Sequence, residues 1–373
     1  MTVLLVLLSI NLILWLLVGE LLGKDEVAAR LMFISMAFVL AFRATSVGTD
    51  TAVACNQIER IGRASLLSIT SMSGGIWEYA PVYTIWCKLI WMAIPSPHAV
   101  LAVNAVATCT SYYYFFSKFS SRSASCAFLY LSSYAYINAF NTMRQELAIA
   151  VCLLALTFWS LRRRALGVAV AAAAIGVHVI VTVPIAAVAA YAALPALRAA
   201  GPRRLLGVCL LAGLVGRVFY GQLSAAFFSL FARYGRLYGE SATDYVSAGR
   251  TIVIYLAFLA VFVFWTCGDG GGCDRGCAST ARIGKRGFLP LWFFLGFLCL
   301  SLNLFFFDLA LPRRVAACFM PYLILILQKA LDGLGQRWQT VAPGYFVISG
   351  LILSFVFRLV ANIGGVVPFA FFW

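Results

Sequence analysis

Charged side chains are scarce in this sequence. Asp, Glu, Lys and Arg make up 11% of its 373 residues, against about 25% in an average soluble protein. Hydrophobic residues reach 63%. Apolar runs of roughly 17–20 residues recur along the chain, and each is long enough to cross the hydrocarbon of a bilayer. This composition excludes a water-soluble domain with a charged surface. It predicts an all-α polytopic membrane protein.

The sequence also lacks the usual ligand spacing of a structural metal site. Its Gly-rich stretch 268–287 follows Cys267 and contains Cys273 and Cys277, but no C-x₂-C pair and no fourth Cys or His nearby. We therefore predict a flexible cytoplasmic loop there, and we expect neither a metal nor another cofactor.

A cleavable leader and a nucleic-acid-binding surface are not expected either. Thr2–Leu22 has no basic start and no small-x-small cleavage site, so we interpret it as a retained helix. The net charge of +15 comes from Lys and Arg placed between apolar runs, as membrane topology requires. No nucleic acid is expected as a partner.

We predict about twelve membrane-spanning helices, within a range of about 11–13, in a single membrane domain over residues 1–373. The pair 165–177 and 179–194 is too short for two full crossings. Either two half-helices meet near His178, or one long helix is tilted. The predicted spans are 2–22, 28–42, 98–116, 125–141, 146–161, 165–177, 179–194, 204–220, 250–267, 288–307, 315–331 and 343–361.

The basic loops predict the orientation. Of the 28 Lys and Arg residues, 16 fall on the side that holds Lys24, Arg122 and Arg164, which the positive-inside rule makes the cytoplasm. Residues 43–97 then form one long external loop, and 221–249 form another. Because Ile76–Ile94 is rich in Trp and Tyr with few charges, we predict a helix lying at the membrane interface. A short span is the alternative.

Two motifs fall at the external ends of predicted spans. In FRATSVGTDT, Arg43 and Asp50 flank Gly48, which permits a tight turn. In NAFNTMRQELAIA, three consecutive polar residues interrupt apolar sequence, namely Arg144, Gln145 and Glu146. Charge at the bilayer edge usually has a function. An interfacial anchor for the first motif and a snorkelling arginine for the second are the alternatives.

Two further motifs lie later in the chain. His178 sits in the apolar stretch GVHVIVTVP, where a buried packing histidine and a cavity-lining helix break are both plausible. Asp308, Arg313 and Arg314 lie at an outer helix junction, where adjacent arginines suit an anion such as phosphate. In loop 221–249, a mixture of aromatic and charged residues suits a sugar, namely Arg233, Tyr234, Tyr238, Asp244 and Tyr245.

Over about residues 28–330 the chain resembles the EpsG family, which are Wzy-like bacterial polysaccharide polymerases. The family has an aromatic residue after the GTD, where this chain has Thr51 and Ala52. The long first external loop followed by many spans is similar to GT-C-type glycosyltransferases, by analogy of architecture. The resemblance rests on four motifs in the same order: Arg43…Gly48-Thr49-Asp50, Arg144-Gln145…Ala148, His178 and Arg314…Phe319.

The resemblance implies a multi-pass enzyme of the bacterial cytoplasmic membrane whose active site faces outward. It would transfer a growing glycan from undecaprenyl pyrophosphate to the non-reducing end of a new lipid-linked repeat unit. The donor and acceptor glycolipids, membrane lipid, a flippase and a chain-length regulator are the implied partners. A lipid-linked-oligosaccharide flippase and a ligase of the O-antigen type are the alternative functions.

The same resemblance suggests roles for the motif residues. The candidates for the base that activates the acceptor hydroxyl are, in order, Asp50, His178 and Glu146. Arginines can neutralise a pyrophosphate leaving group without a metal. The candidates for pyrophosphate binding are Arg43, Arg144, Gln145, Arg313 and Arg314.

Overall fold

The computed structural model describes residues 1–65, 80–222, 224–225, 245–267, 289–335 and 341–372, with the backbone alone at 245–251, 267, 334–335 and 341–344. Helices account for nearly all of these residues, and no β-strand occurs among them, which confirms the all-α prediction. The helices are α1 (Thr2–Leu21, a π-helix from Leu14), α2 (Asp25–Ala41), α3 (Thr51–Arg63), α4 (Pro81–Ala93), α5 (Pro97–Phe119), α6 (Ser123–Ser132), α7 (Ala135–Asn141), α8 (Met143–Ser160), α9 (Arg164–Val177), α10 (Thr182–Ala193), α11 (Pro195–Ala199), α12 (Pro202–Val218), α13 (Tyr245–Cys267), α14 (Leu289–Phe305), α15 (Ala310–Ala317), α16 (Met320–Gly335) and α17 (Val341–Val360).

Each predicted span falls on a helix, but two are interrupted. The span predicted at 125–141 is two helices, α6 and α7, separated where Tyr134 adopts a φ of 70°. The span predicted at 315–331 includes a bend of 61° between α15 and α16. Among the described helices, α1, α5 and α8 are long and apolar enough to cross a membrane, and α15–α16 is a fourth if counted as one span. The chain is therefore a helical membrane protein, and the number twelve stays a prediction.

The segment predicted to form the first external loop contains a helix that the sequence did not reveal. We predicted one helix there, at 76–94, whereas the described residues form both α3 and α4. The buried residues of α3, such as Cys55, Ile58 and Ile61, recur every three or four positions among polar ones. Such a stripe is too sparse to resemble a membrane span. The helix α3 packs closely against α4, because a Cβ added to Gly62 of α3 would lie only 2.1 Å from the Trp91 ring of α4.

The chain divides into two compact units. The first unit consists of residues 1–182 and 352–373, and the second consists of residues 183–351.

In the first unit, polar groups lie at both ends of α2. At its start, the Asp25 carboxylate accepts bonds of 2.7 and 3.1 Å from the first amides of α6, and Arg122 pairs with Glu20 at 3.1 Å. At its end lies Arg43. The helix is about 26 Å long, which is close to the thickness of bilayer hydrocarbon.

The second unit is held together by close helix approaches at small residues. Gly213 of α12 lies against α14, where an added Cβ would be 2.0 Å from Ser301 Oγ and 2.7 Å from Phe305. The Ser301 hydroxyl donates a hydrogen bond of 2.7 Å to the Cys209 carbonyl of α12. Small residues at such contacts let helix backbones approach closely in a membrane.

We expect Gly213→Ala to lower the free energy of unfolding by about 1–3 kcal/mol, because the new methyl group overpacks the α12–α14 contact. Gly207 is the matched control, since it lies in the same helix with no atom within 4 Å of an added Cβ. Gly207→Ala should be neutral or stabilising by up to about 1 kcal/mol. Unfolding in detergent micelles measures both, and equal values for the two variants would contradict the packing described.

Candidate functional site

Arg43 is buried at the end of α2, with 1% of its surface exposed. Its Nη1 donates to the Leu40 carbonyl at 2.8 Å, its Nε lies 3.4 Å from Thr51 Oγ1, and its Cζ lies 5.2 Å from the centre of the Phe140 ring. No described carboxylate forms an ion pair with it. Burial lowers the pKa of the guanidinium to about 10, so it remains charged at neutral pH. Arg43, predicted to bind pyrophosphate, is thus enclosed by the protein itself in this conformation.

The GTD sequence forms the tight turn that Gly48 predicted. Gly48 has a φ of 91°, and a Cβ there would lie 2.9 Å from both Asn141 Oδ1 and the Phe140 carbonyl. The next amide, of Thr49, donates to Asn141 Oδ1 at 2.8 Å. Asp50 then directly precedes α3, and its exposed carboxylate accepts a bond of 3.0 Å from the Thr49 hydroxyl. Asp50, the first candidate for the base, therefore has an accessible carboxylate, and the backbone just before it is held by a hydrogen bond.

The three polar residues that begin α8 differ in their surroundings. Arg144 is half-exposed, and its Cζ lies 5.9 Å from the centre of the Tyr83 ring of α4. Gln145 and Glu146 are each 3% exposed, and the Tyr112 hydroxyl donates to the Glu146 carboxylate at 3.0 Å. Arg144 is therefore available to a ligand, whereas Gln145 and Glu146 lie in the protein interior.

His178 interrupts a helix, as one of the two sequence-based alternatives predicted. Helix α9 ends at Val177, and a 3₁₀ turn follows before α10. The Ile180 amide donates to His178 Nδ1 at 3.2 Å. Because a backbone amide can only donate, the neutral imidazole carries its proton on Nε2. The half-exposed His178 ring is thus arranged as a hydrogen-bond donor in its neutral form.

The end of α9, just before His178, and the Arg144 side chain both approach the first turn of α4. A Cβ on Gly176, two residues before His178, would lie 2.3 Å from Val82 Cγ2. Val82 directly precedes Tyr83, the ring beside Arg144. The 3₁₀ turn after His178 also packs against α8. The fold of the first unit therefore brings these two motifs, which are distant in sequence, to one helix end.

The arginine pair lies in the second unit. Arg313 and Arg314 are half-exposed on the short helix α15. Asp308, just before this helix, accepts a bond of 2.8 Å from Arg217 at the end of α12. No motif in the sequence indicated this pairing. This ion pair joins the segment before α15 to the end of α12.

Other predicted elements lie wholly or partly outside the described residues. This applies to the Gly- and Cys-rich loop 268–287 and to the side chains predicted to bind sugar, Arg233, Tyr234, Tyr238, Asp244 and Tyr245. Within the described part of the chain, no group of three or more His, Cys, Asp or Glu side chains could hold a metal ion. Independence from metals stays a prediction.

Sequence reasoning missed the contribution of residues 361–372, which we call the covering segment. Its Gly365 carbonyl accepts a bond of 2.8 Å from the Gly48 amide, and its Ala370 carbonyl accepts one of 2.8 Å from Ala44. The sequence signals that could have indicated a structured segment are the Gly364-Gly365 pair and the aromatic residues after Pro368.

Apolar helices and polar motifs gathered at helix ends define a polytopic membrane protein with a candidate site for a polar ligand. The chain matches the family model described as "EpsG family" over residues 27–371, nearly its whole length, and it belongs to that family. The family is one of Wzy-like polysaccharide polymerases. Membership indicates a glycosyltransferase-like polymerase in exopolysaccharide biosynthesis. Neither a curated protein nor a solved structure gives a significant match to the chain.

We expect Arg43→Lys to lower the free energy of unfolding by about 1–3 kcal/mol, because an ammonium cannot replace the separate contacts of the planar guanidinium. The control is Arg60→Lys, at an exposed position on α3, which should unfold at the wild-type temperature. Thermal unfolding of both purified variants in the same detergent provides the measurement. Coincident transitions for Arg43→Lys and wild type would show that the buried contacts contribute nothing.

Proposed function

We propose that this protein polymerises undecaprenyl-pyrophosphate-linked oligosaccharide repeat units at the outer face of the bacterial cytoplasmic membrane. The growing glycan is the donor, and a new lipid-linked repeat is the acceptor. Family membership supports the polymerase class. The observation that supports the site is that polar groups of three separate motifs are accessible in the first unit: the Asp50 carboxylate, the Arg144 guanidinium and the His178 imidazole.

The proposed step is a single displacement at the anomeric carbon of the donor. The acceptor hydroxyl oxygen forms the new glycosidic bond, while the bond from the anomeric carbon to the pyrophosphate oxygen breaks. The leaving pyrophosphate takes the bonding electrons, and the hydroxyl proton passes to a base. Asp50 is the base in this proposal because its carboxylate is exposed and acceptor-only when ionised. Glu146, bonded to Tyr112 in the interior, is better suited to fixing the start of α8.

The other accessible groups stabilise the pyrophosphate leaving group. His178, with its proton on Nε2, donates a hydrogen bond to the departing pyrophosphate, and Arg144 supplies positive charge. The second unit, taken by itself, has its own candidate phosphate ligands in Arg313 and Arg314, because adjacent guanidinium groups match phosphate oxygens. Positive charge from arginine would make a metal ion unnecessary. The enclosed Arg43 acts structurally, by holding the end of α2 to Thr51.

The remaining parts of the proposal concern access and partners. Both substrates are lipids, so they would enter from the bilayer. A flippase would deliver the repeat units to the outer face, and a chain-length regulator would limit the product. Both are proposed partners because the reaction needs an external supply of repeat units and has no intrinsic end point.

Asp50→Asn should reduce polymerisation by at least about 100-fold, since removing a general base typically costs 10²–10⁴ in rate. The substrate is a lipid-pyrophosphate-linked repeat unit extracted from the host. A gel ladder of longer glycans gives the rate, with EDTA present throughout. Glu59→Gln is the matched control: it neutralises a carboxylate of α3, the helix that follows Asp50, where Glu59 pairs with Arg63, and it should retain wild-type activity.

The proposal fails if wild-type protein forms no ladder while the lipid-linked repeat crosses the membrane of protein-containing liposomes. That result would make the protein a transporter. A ladder that requires added divalent cations would contradict metal independence alone. A full rate for Asp50→Asn would remove Asp50 as the base.

The proposed topology predicts different labelling of two introduced cysteines. Ser46 lies in the turn before α3, and Lys24 lies between α1 and α2; both are exposed. Ser46→Cys should react with a membrane-impermeant maleimide in intact spheroplasts, whereas Lys24→Cys should react only after permeabilisation. Both cysteines are introduced into a protein in which Cys267, Cys273 and Cys277, at the predicted cytoplasmic loop, are replaced by Ser. This parent protein sets the background, which should be low because the other eight native cysteines are buried. The opposite pattern would place the site in the cytoplasm.

A further inference from the structure

The covering segment pairs with the end of α2 in a short antiparallel ladder. The Ala44 amide donates to the Ala370 carbonyl at 2.8 Å, and the Phe372 amide donates to the Phe42 carbonyl at 3.2 Å. Arg43 and Phe371 are thus directly opposite each other. The pairing places a second backbone strand beside the residue whose charge is buried.

Two glycines let the same segment lie against the GTD turn. Gly364 and Gly365 have φ values of 92° and 63°. A Cβ on Gly364 would lie 2.8 Å from Asn141 Nδ2, and one on Gly365 would lie 3.1 Å from Thr49 Cγ2. The backbone here is close to both the turn and Asn141, so a larger residue at either position would displace one of them.

The covering segment is itself fixed by several contacts. The Tyr134 hydroxyl donates to the Ile363 carbonyl. The Asn362 side chain bonds both the amide and the carbonyl of Val367, at 2.8 and 2.7 Å. Near its end, the Phe372 ring stacks on His98 with 4.4 Å between ring centres. Because these contacts fix the covering segment, the segment can hold the GTD turn in place.

We propose that Asn141 and the covering segment are positioning elements that fix the GTD turn and so orient Asp50 for catalysis. The Gly48 amide is bonded to Gly365, and the Thr49 amide to Asn141. Two successive backbone amides directly before Asp50 are therefore held by groups that are distant in the sequence. This inference rests on the proposed function, in which Asp50 is the base. A small displacement of a catalytic group, about 1 Å, can reduce the rate by about 100-fold.

The first test compares two glycines of similar backbone conformation. Gly364 and Gly23 have φ values of 92° and 64°, so alanine is strained at both positions, but no atom lies within 4 Å of an added Cβ at Gly23. Gly364→Ala should lower kcat at least about 10-fold while the acceptor KM changes less than about 3-fold. Gly23→Ala should keep kcat within about 2-fold of wild type, since it disturbs no contact of the turn.

The second test locks the pairing and has a readout besides activity. Directly opposed residues of antiparallel strands have Cα atoms about 4.5–5.5 Å apart, within disulfide range. The Ala44→Cys/Ala370→Cys variant should therefore cross-link on oxidation. The control variant Lys24→Cys/Ala370→Cys should not cross-link, because its two cysteines lie at opposite ends of α2. The oxidised Ala44→Cys/Ala370→Cys protein should keep its polymerisation rate within about 2-fold of the reduced form, because a positioning element stays in place during turnover.

Three results would overturn the inference: no Ala44–Ala370 cross-link, a cross-linked protein that loses activity on oxidation alone, or a wild-type kcat for Gly364→Ala. The second would identify a movable cover instead of a fixed support. The two proposals can fail separately. If wild-type protein makes no polymer, the proposed function fails and the catalytic role with it, while the cross-link still reports whether the segment holds the turn.

Discussion

The burial of one positive charge organises the motif end of the first unit. A buried ion without a counter-ion is unfavourable by several kcal/mol unless hydrogen bonds replace its hydration. At Arg43 the Leu40 carbonyl, the Thr51 hydroxyl oxygen and the Phe140 ring provide this replacement. The Thr51 hydroxyl donates its own proton to the Val47 carbonyl, so its lone pairs can face Arg43. Satisfying Arg43 thereby fixes the end of α2, the turn and the start of α3 together.

The first-unit motif residues divide into interior and accessible groups. Arg43, Gln145 and Glu146 are buried, whereas Asp50 and Arg144 are accessible and directly precede the buried residues Thr51 and Gln145. At such a helix end, one side chain packs into the interior and the next one faces outward, because neighbouring residues point in different directions. The charges that face inward keep the backbone in place, and the charges that face outward are accessible to a ligand. This arrangement explains why both kinds of residue occur within a few positions.

Local features were predictable from the sequence, and long-range ones were not. Apolar runs indicated the helices, Gly48 indicated its turn, and the short flanking segments indicated a break near His178. The burial of Arg43 could not be predicted, because an arginine after an apolar run looks the same whether it faces solvent or the interior. The break at Tyr134 gave no local signal, since a non-glycine residue with positive φ is set by tertiary contacts. The helix α3 was missed because its apolar stripe is sparse.

The long-range contacts of the covering segment explain why the Gly48-Thr49-Asp50 motif can be short. Gly48 and Gly365 are about 320 residues apart, and contacts at such separation form only after the intervening chain has been ordered. Few local residues are then needed to define the turn, because Asn141 and Gly365 hold two of its amides from elsewhere in the fold. The information that orients Asp50 is therefore distributed over α7, the turn and the covering segment. A motif of three residues, Gly48-Thr49-Asp50, is sufficient in sequence because the rest of its geometry is specified by packing.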